Sequence, residues 1–160
     1  MRLLFVCLGN ICRSPTAEGV MRSLIADAEM QESIEVDSAG TGAWHVGSAP
    51  DARASAAALD RGVRLEGSAR QVTTADFEDF DLLLAMDAAN RRELLLAAGG
   101  VDERAKVRML REFDPASAVA CDLDVPDPYY GGDGGFDDVY DLVRAACAGL
   151  LEEIRAGRIR

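Results

Sequence analysis

One lysine, one histidine and one tryptophan are all that 160 residues hold of three residue types on which much protein chemistry depends. The single histidine, His45, is one possible base at most, so a cysteine hydrolase that runs on histidine fits poorly. The single lysine, Lys106, leaves phosphate recognition to arginine. No Gly-Lys-Ser or Gly-Lys-Thr string occurs, which removes the Walker loop, and the three spaced glycines of a dinucleotide loop are missing behind the first strand. Positive charge is short as well. A net charge of −11 argues against a nucleic-acid partner, whose phosphates require a basic face. No apolar run approaches the roughly 20 residues of a membrane span. The opening "RLLFVC" is too short for a signal peptide, so a cytoplasmic protein without membrane contact is expected. Four cysteines, Cys7, Cys12, Cys121 and Cys147, do not make a disulfide scaffold in a chain of this length. The Cys7–Cys12 spacing is wider than a usual zinc knuckle, and no metal or other cofactor is expected.

What is present reads as one α/β domain over residues 1–160. Residues 2–7 form a short apolar run ending at Gly-Asn, a buried parallel strand by pattern. Ser14 and Pro15 then suggest N-cap and first turn of a helix, with Ala17, Val20, Met21, Leu24 and Ala28 at helical spacing behind them. Further strands are expected at 34–37, 81–86 and 106–110, and helices at 51–61 (stopped by Gly62) and 88–98. A Gly-rich loop over 40–50 carries Trp44, and a long loop is expected over 111–135. The last helix shows Phe136, Val139, Tyr140, Val143, Cys147, Leu150, Leu151 and Ile154 as one apolar stripe, which makes Cys147 a core residue.

The segment "VCLGNICRSPTAEG" stands between the first strand and the first helix, where parallel sheets bind ligands. A helix N-terminus offers unpaired N–H groups and partial positive charge. Gly9 permits close folding of the backbone there, and Asn10 tolerates left-handed angles. A turn of this kind gathers N–H groups into one concavity, with Cys7 at its base and Arg13 able to clamp an oxyanion with two hydrogen bonds. A thiol in water is only about 3% ionised at pH 7, and helix N-termini and cations raise that fraction. Attack of a thiolate on phosphorus also requires an acid for the leaving oxygen. "VPDPYYGGDGGF" supplies a candidate in Asp127, stiffened between Pro126 and Pro128, with Tyr129 and Tyr130 offering faces to a flat ring. Cys121 lies in a polar loop without an evident role.

With Cys7-x5-Arg13-Ser14 in front and Asp127-Pro128-Tyr129-Tyr130 late, the chain resembles the low-molecular-weight protein tyrosine phosphatases. "DSAGT", "WHVG" and "FDLLLAMD" extend the likeness along nearly the whole chain. The resemblance implies a four-stranded parallel sheet in the order 2-1-3-4 between helices, and hydrolysis of phosphotyrosine through a cysteinyl-phosphate. By matching position it makes Cys7 the nucleophile, Arg13 the phosphate clamp and Asp127 the general acid and base. It makes Leu8, Gly9, Asn10, Ile11, Cys12 and Arg13 the N–H cradle, and Ser14 the support of the thiolate and leaving group. Ile11, Trp44, Tyr129 and Tyr130 become the substrate cleft, and Asn10 and Ser38 the network behind the loop. Cys12 becomes the second thiol that traps oxidised Cys7. The match departs at "EGSARQ", around Ser68, where a histidine usual in that network is missing. Partners implied are tyrosine-phosphorylated proteins, acted on by a monomer or weak dimer. Three alternatives remain: a protein arginine phosphatase, which typically has threonine in place of Ile11; a thioredoxin-coupled arsenate reductase, which needs a cysteine pair absent between Cys12 and Cys121; and a non-catalytic phosphopeptide-binding module.

Overall fold

The computed structural model describes residues 1–131 and 135–159. Its centre is β1 (Arg2–Cys7), buried on both faces from Leu3 onward. Side chains alternate across a strand. Leu3, Phe5 and Cys7 therefore enter one apolar layer, while Leu4 and Val6 enter the other. The sheet has the order β2-β1-β3-β4 and all its pairings are parallel, with β2 at Glu35–Gly40, β3 at Leu82–Ala85 and β4 at Val107–Met109. Cys7 pairs with Gly40, and Val6 pairs with Ala85. The chain thus leaves β1, β2 and β3 along one edge of the sheet, and the site lies there.

Helices α1 (Arg13–Asp27) and α7 (Gly135–Arg155) cover the face that holds Cys7. Val20 and Met21 meet Val143, Cys147 and Leu150 there, each large apolar side chain contributing roughly 1.5–3 kcal/mol by burial. Helix α7 also lies close against the chain at Phe113: a Cβ on Gly149 would lie 1.9 Å from the Phe113 carbonyl oxygen. The opposite face is covered by α3 (Thr74–Asp79) and α4 (Ala88–Ala97), through Phe77 and Leu94. Among the described residues no helix is long and apolar enough to cross a membrane.

The structure departs from the sequence expectation in four places. Strand β2 runs on to Gly40, because its ladder with β1 continues as far as Cys7. Helix α1 begins at Arg13 with Cys12 as N-cap, and no side chain caps it; the Ser14 hydroxyl is turned to Cys7 instead. Segment 111–135 is not one long loop. A 3-10 turn (Leu110–Phe113) opens it, and α6 (Pro115–Ala120) follows. Helix α2 (Ala52–Leu59) falls within the expected 51–61, whereas α3 and α5 (Val101–Ala105) were not expected. Asp114 caps α6, accepting from the Ala116 N–H at 3.1 Å, and Pro115 stands at its first turn. Helices α3, α5 and α6 are too short for an apolar period to register. Gly132, Asp133 and Gly134 of "VPDPYYGGDGGF" lie outside the described residues.

Candidate active site

Between β1 and α1 the chain makes a five-residue loop, Leu8 to Cys12, whose carbonyls are tied from outside. Thr41 N–H donates to Cys7 O at 2.9 Å, Gly42 N–H to Leu8 O at 2.9 Å, and Asp51 N–H to Ile11 O at 2.7 Å. With the carbonyls drawn outward, the amides turn inward. Asn10 makes the reversal with φ 56°, a left-handed conformation asparagine adopts at low cost. The N–H groups of Leu8, Gly9, Ile11 and Cys12 have no protein acceptor among the described residues. Together with the start of α1 they form an anion-binding concavity. The Cys7 sulfur lies at its base, 3.3 Å from the Asn10 N–H nitrogen and 3.1 Å from Ser14 Oγ.

Arg13 is 3% exposed beside the sulfur, a guanidinium that nothing but fixed partners can hold. Its Nη1 donates to Asp87 Oδ2 at 2.6 Å and to Val125 O at 3.1 Å, and its Nη2 lies 3.5 Å from Asp127 Oδ2. Burial alone would lower its pKa. The charges of Cys7, Asp87 and Asp127 outweigh that and raise it above its ordinary value, so Arg13 stays cationic. Cys12 is different. Burial first, then the charges of Asp51, Cys7 and Asp127, push its thiol up to about 12.

Above the loop opens a cavity of about 390 Å³, lined by Cys7, Leu8, Gly9, Ile11, Cys12 and Arg13 below and by Trp44, His45, Asp127, Tyr129 and Tyr130 at its sides. Trp44 is 76% exposed at the rim, and Tyr129 meets Tyr130 edge to face at 4.8 Å. Gly9 lets His45 lie close over the loop: a Cβ there would stand 3.0 Å from His45 Cδ2. The Asp127 side chain is 44% exposed. Its Oδ1 accepts from the Tyr129 N–H at 3.1 Å, which leaves Oδ2 facing Arg13. The loop carrying it is fastened by Val125 N–H to Met86 O at 2.7 Å and by Arg53 Nη1 to Tyr129 O at 3.3 Å.

The family profile described as low molecular weight phosphotyrosine protein phosphatase matches residues 2–159. The chain belongs to that family. A low molecular weight protein-tyrosine-phosphatase of Streptomyces coelicolor is 49% identical over 154 residues, 96% of this chain and 93% of that protein. The crystal structure of a protein tyrosine phosphatase from Entamoeba histolytica, with Hepes in its active site, superposes with a TM-score of 0.93 at 39% identity, covering 99% of each chain. A Drosophila arginine phosphatase superposes with a TM-score of 0.88 at 33% identity, covering 97% of this chain and 98% of that one.

Of the residues that the sequence singled out, Cys7, Leu8, Gly9, Ile11, Cys12, Arg13, Asp127 and the aromatic trio line the cavity, and Ser14, Asn10 and Ser38 stand behind the loop. Sequence reasoning missed Asp87, Glu18, Arg70, Arg53 and His45. Asp87 orients Arg13 with one oxygen and caps α4 with the other, which accepts from the Asn90 N–H at 2.7 Å. It directly follows Met86 at the end of β3, and that position at the ligand edge of a parallel sheet was the available signal. Arg70 has no such signal. Its backbone N–H donates to Asn10 Oδ1 at 2.9 Å, while its guanidinium is locked between Asp37 and Asp76. In this phosphatase the Asn10 carbonyl is thus filled by a main-chain donor, and Ser68 is exposed. Cys121 is an exposed left-handed C-cap of α6, away from the cavity.

Proposed function

We propose that the Cys7 thiolate attacks the phosphorus of a phosphotyrosyl side chain while Asp127 protonates the departing phenolate. A P–S bond forms and the P–O bond to the ring breaks. Water then attacks the cysteinyl-phosphate, Asp127 takes its proton, and the P–S bond breaks to give inorganic phosphate and the thiolate again. Arg13 and the inward amides of residues 8–13 stabilise the equatorial oxygens in both steps. The observation that carries this reading is one constellation: a buried sulfur held by the Asn10 amide and Ser14 hydroxyl, with Arg13 linking it to Asp127. The aromatic walls favour a flat ring, and the depth of the sulfur favours tyrosine over the shorter serine. The protein acts in the cytoplasm on tyrosine-phosphorylated proteins, as one domain and a monomer or weak dimer.

Phosphate release from matched phosphotyrosine and phosphoserine peptides tests selectivity, and equal rates would contradict it. No release from either would favour a binding module. The likeness to the Drosophila protein keeps arginine phosphatase activity as the second reading. Against it, Ile11 and Cys12 pack with Tyr129 to give an apolar floor suited to a ring. Faster release from phosphoarginine than phosphotyrosine would overturn the first reading, and Ile11→Thr is the substitution that should move the ratio.

Cys12 is the resolving thiol of a protective disulfide. Peroxide converts Cys7 to a sulfenic acid; the Cys12 sulfur displaces its hydroxyl, which leaves as water with the Cys12 proton. Because Cys12 is held protonated, this second step should quicken as pH rises. Cys12→Ser should keep activity but lose most of its recovery by dithiothreitol after peroxide. Full recovery in that variant rejects the role.

A further inference from the structure

Behind the phosphate loop stands a carboxylate that the chemistry above does not use. Glu18 lies on α1, one turn past Ser14, with its side chain 15% exposed. Its Oε2 accepts from Ser38 Oγ at 2.6 Å, and its Oε1 pairs with Arg22 on the same helix. Asp37 and Glu66 face it across a cavity of about 120 Å³. Arg70, nearby, is occupied by Asp37 and Asp76. Arg13 and Asp127, with the titratable Cys12 and His45, share the cavity with Cys7.

The chain of hydrogen bonds from Glu18 to Cys7 has a direction, because its ends permit only one. A carboxylate accepts and does not donate. Ser38 therefore gives Glu18 its single proton and meets Asn10 as an acceptor, 3.0 Å from Nδ2. At the other end the Arg70 N–H only donates, so it takes Asn10 Oδ1. The amide is thereby held in one orientation, and its second Nδ2 proton goes to Ser14 Oγ at 2.8 Å. Ser14 already accepts from Asn10. Its own proton is left for the Cys7 sulfur at 3.1 Å, in preference to the Ala39 carbonyl at 3.4 Å. With the amide reversed, Oδ1 would face Ser14, and Ser14 would donate to Asn10 instead of to the sulfur.

We propose that Glu18 is a positioning residue for the reaction, holding Ser38 and Asn10 in the orientation that aims the Ser14 proton at the Cys7 sulfur. The proposal rests on Cys7 as the attacking group, and its test is chosen to need no turnover. Alkylation of the Cys7 peptide by iodoacetamide is followed by mass spectrometry across pH, with Ser14 intact and with Ser14→Ala. Glu18→Leu should move the midpoint upward by about one pH unit, the worth of one hydrogen bond. Glu18→Gln, which still offers an acceptor oxygen, should restore most of the parent midpoint. In the Ser14→Ala background Glu18→Leu should shift nothing further. An unchanged midpoint in Glu18→Leu, or the same shift with and without Ser14, overturns the proposal. Should Glu18→Leu fail to fold, Ser38→Ala cuts the same link and must give the same Ser14-dependent shift; its absence overturns the proposal equally. Failure of the phosphatase reading would show separately, as no phosphate release by a parent protein whose Cys7 still alkylates.

Discussion

The two loops that meet over the cavity are built in opposite ways. The phosphate loop is buried from Asn10 onward, and its polar side chains are satisfied inside the protein: Asn10 has its carbonyl and both amide protons engaged, and Arg13 is held by Asp87, Val125 O and Asp127. The loop of Asp127 is fastened mainly through backbone atoms, and its carboxylate is nearly half exposed. The difference matches the roles proposed for them. A site that stabilises charge works best when its dipoles are fixed beforehand and shielded from water. A group that gives a proton to one oxygen and takes the next from water must stay in contact with solvent.

The comparison breaks most sharply at its centre. Cys7→Ser should abolish turnover and keep binding of inorganic phosphate, because the backbone cradle and Arg13 remain. Arg13→Ala should lose both and also destabilise the fold, by roughly 1–3 kcal/mol, since the partly buried Asp87 is left without its partner. Phosphate binding by titration calorimetry separates the two variants. If Cys7→Ser bound no phosphate, the backbone cradle would be wrongly drawn.

A smaller, conditional effect belongs to the exposed loop. Asp127→Asn should slow aryl phosphates with poor leaving groups about 10²–10⁴-fold, and those with good leaving groups far less, without changing thermal stability. Equal slowing of both would remove Asp127 from the acid role.

Asn10→Ala acts on the buried loop without touching the reacting atoms. It removes three hydrogen bonds and leaves a left-handed φ that alanine adopts at a cost of about 1–2 kcal/mol. Turnover should fall about tenfold or more with the KM for aryl phosphate changed less, together with a lower Tm. A variant as active as the parent would show that the loop keeps its shape without the network.

The smallest effect sharpens the contrast in pH. Burial, ahead of neighbouring charges, keeps Cys12 protonated up to about 12, and burial alone raises the thiol of Cys147 further. In the unfolded chain both ionise near 8.5. The fold therefore binds more protons above that pH, and stability is complete below it. It falls as pH rises from about 9 towards 12, by about 1.4 kcal/mol per unit for each thiol. Urea midpoints across pH measure the slope, and Cys147→Ala should remove about half of it. A slope indifferent to Cys147 would contradict the assignment.

How far this was legible in the sequence also divides along the two loops. The phosphate loop is contiguous, so one strand–helix junction spelled out Cys7, Asn10, Arg13 and Ser14 together. The sheet order came with the resemblance, since parallel strands carry no local mark of their neighbours. What escaped was tertiary: Asp87, Glu18 and Arg70 reach the loop from β3, the outer face of α1 and the segment before α3, each as an ordinary surface-type residue in sequence. The structure of segment 111–135 escaped for a different reason. Helix α6 buries only Ser117, so it shows no apolar period to read.

The central claim is that phosphate passes through sulfur. Asp127→Asn mixed with an aryl phosphate bearing a good leaving group, then quenched in acid, should accumulate one phosphoryl group per chain, because attack no longer needs the acid while hydrolysis still needs the base. Peptide mass spectrometry should place that group on Cys7, and none should appear when Cys7→Ser is added. Phosphate on another residue, or release of the phenol in a single burst with no phosphoryl group on the protein, would contradict the account.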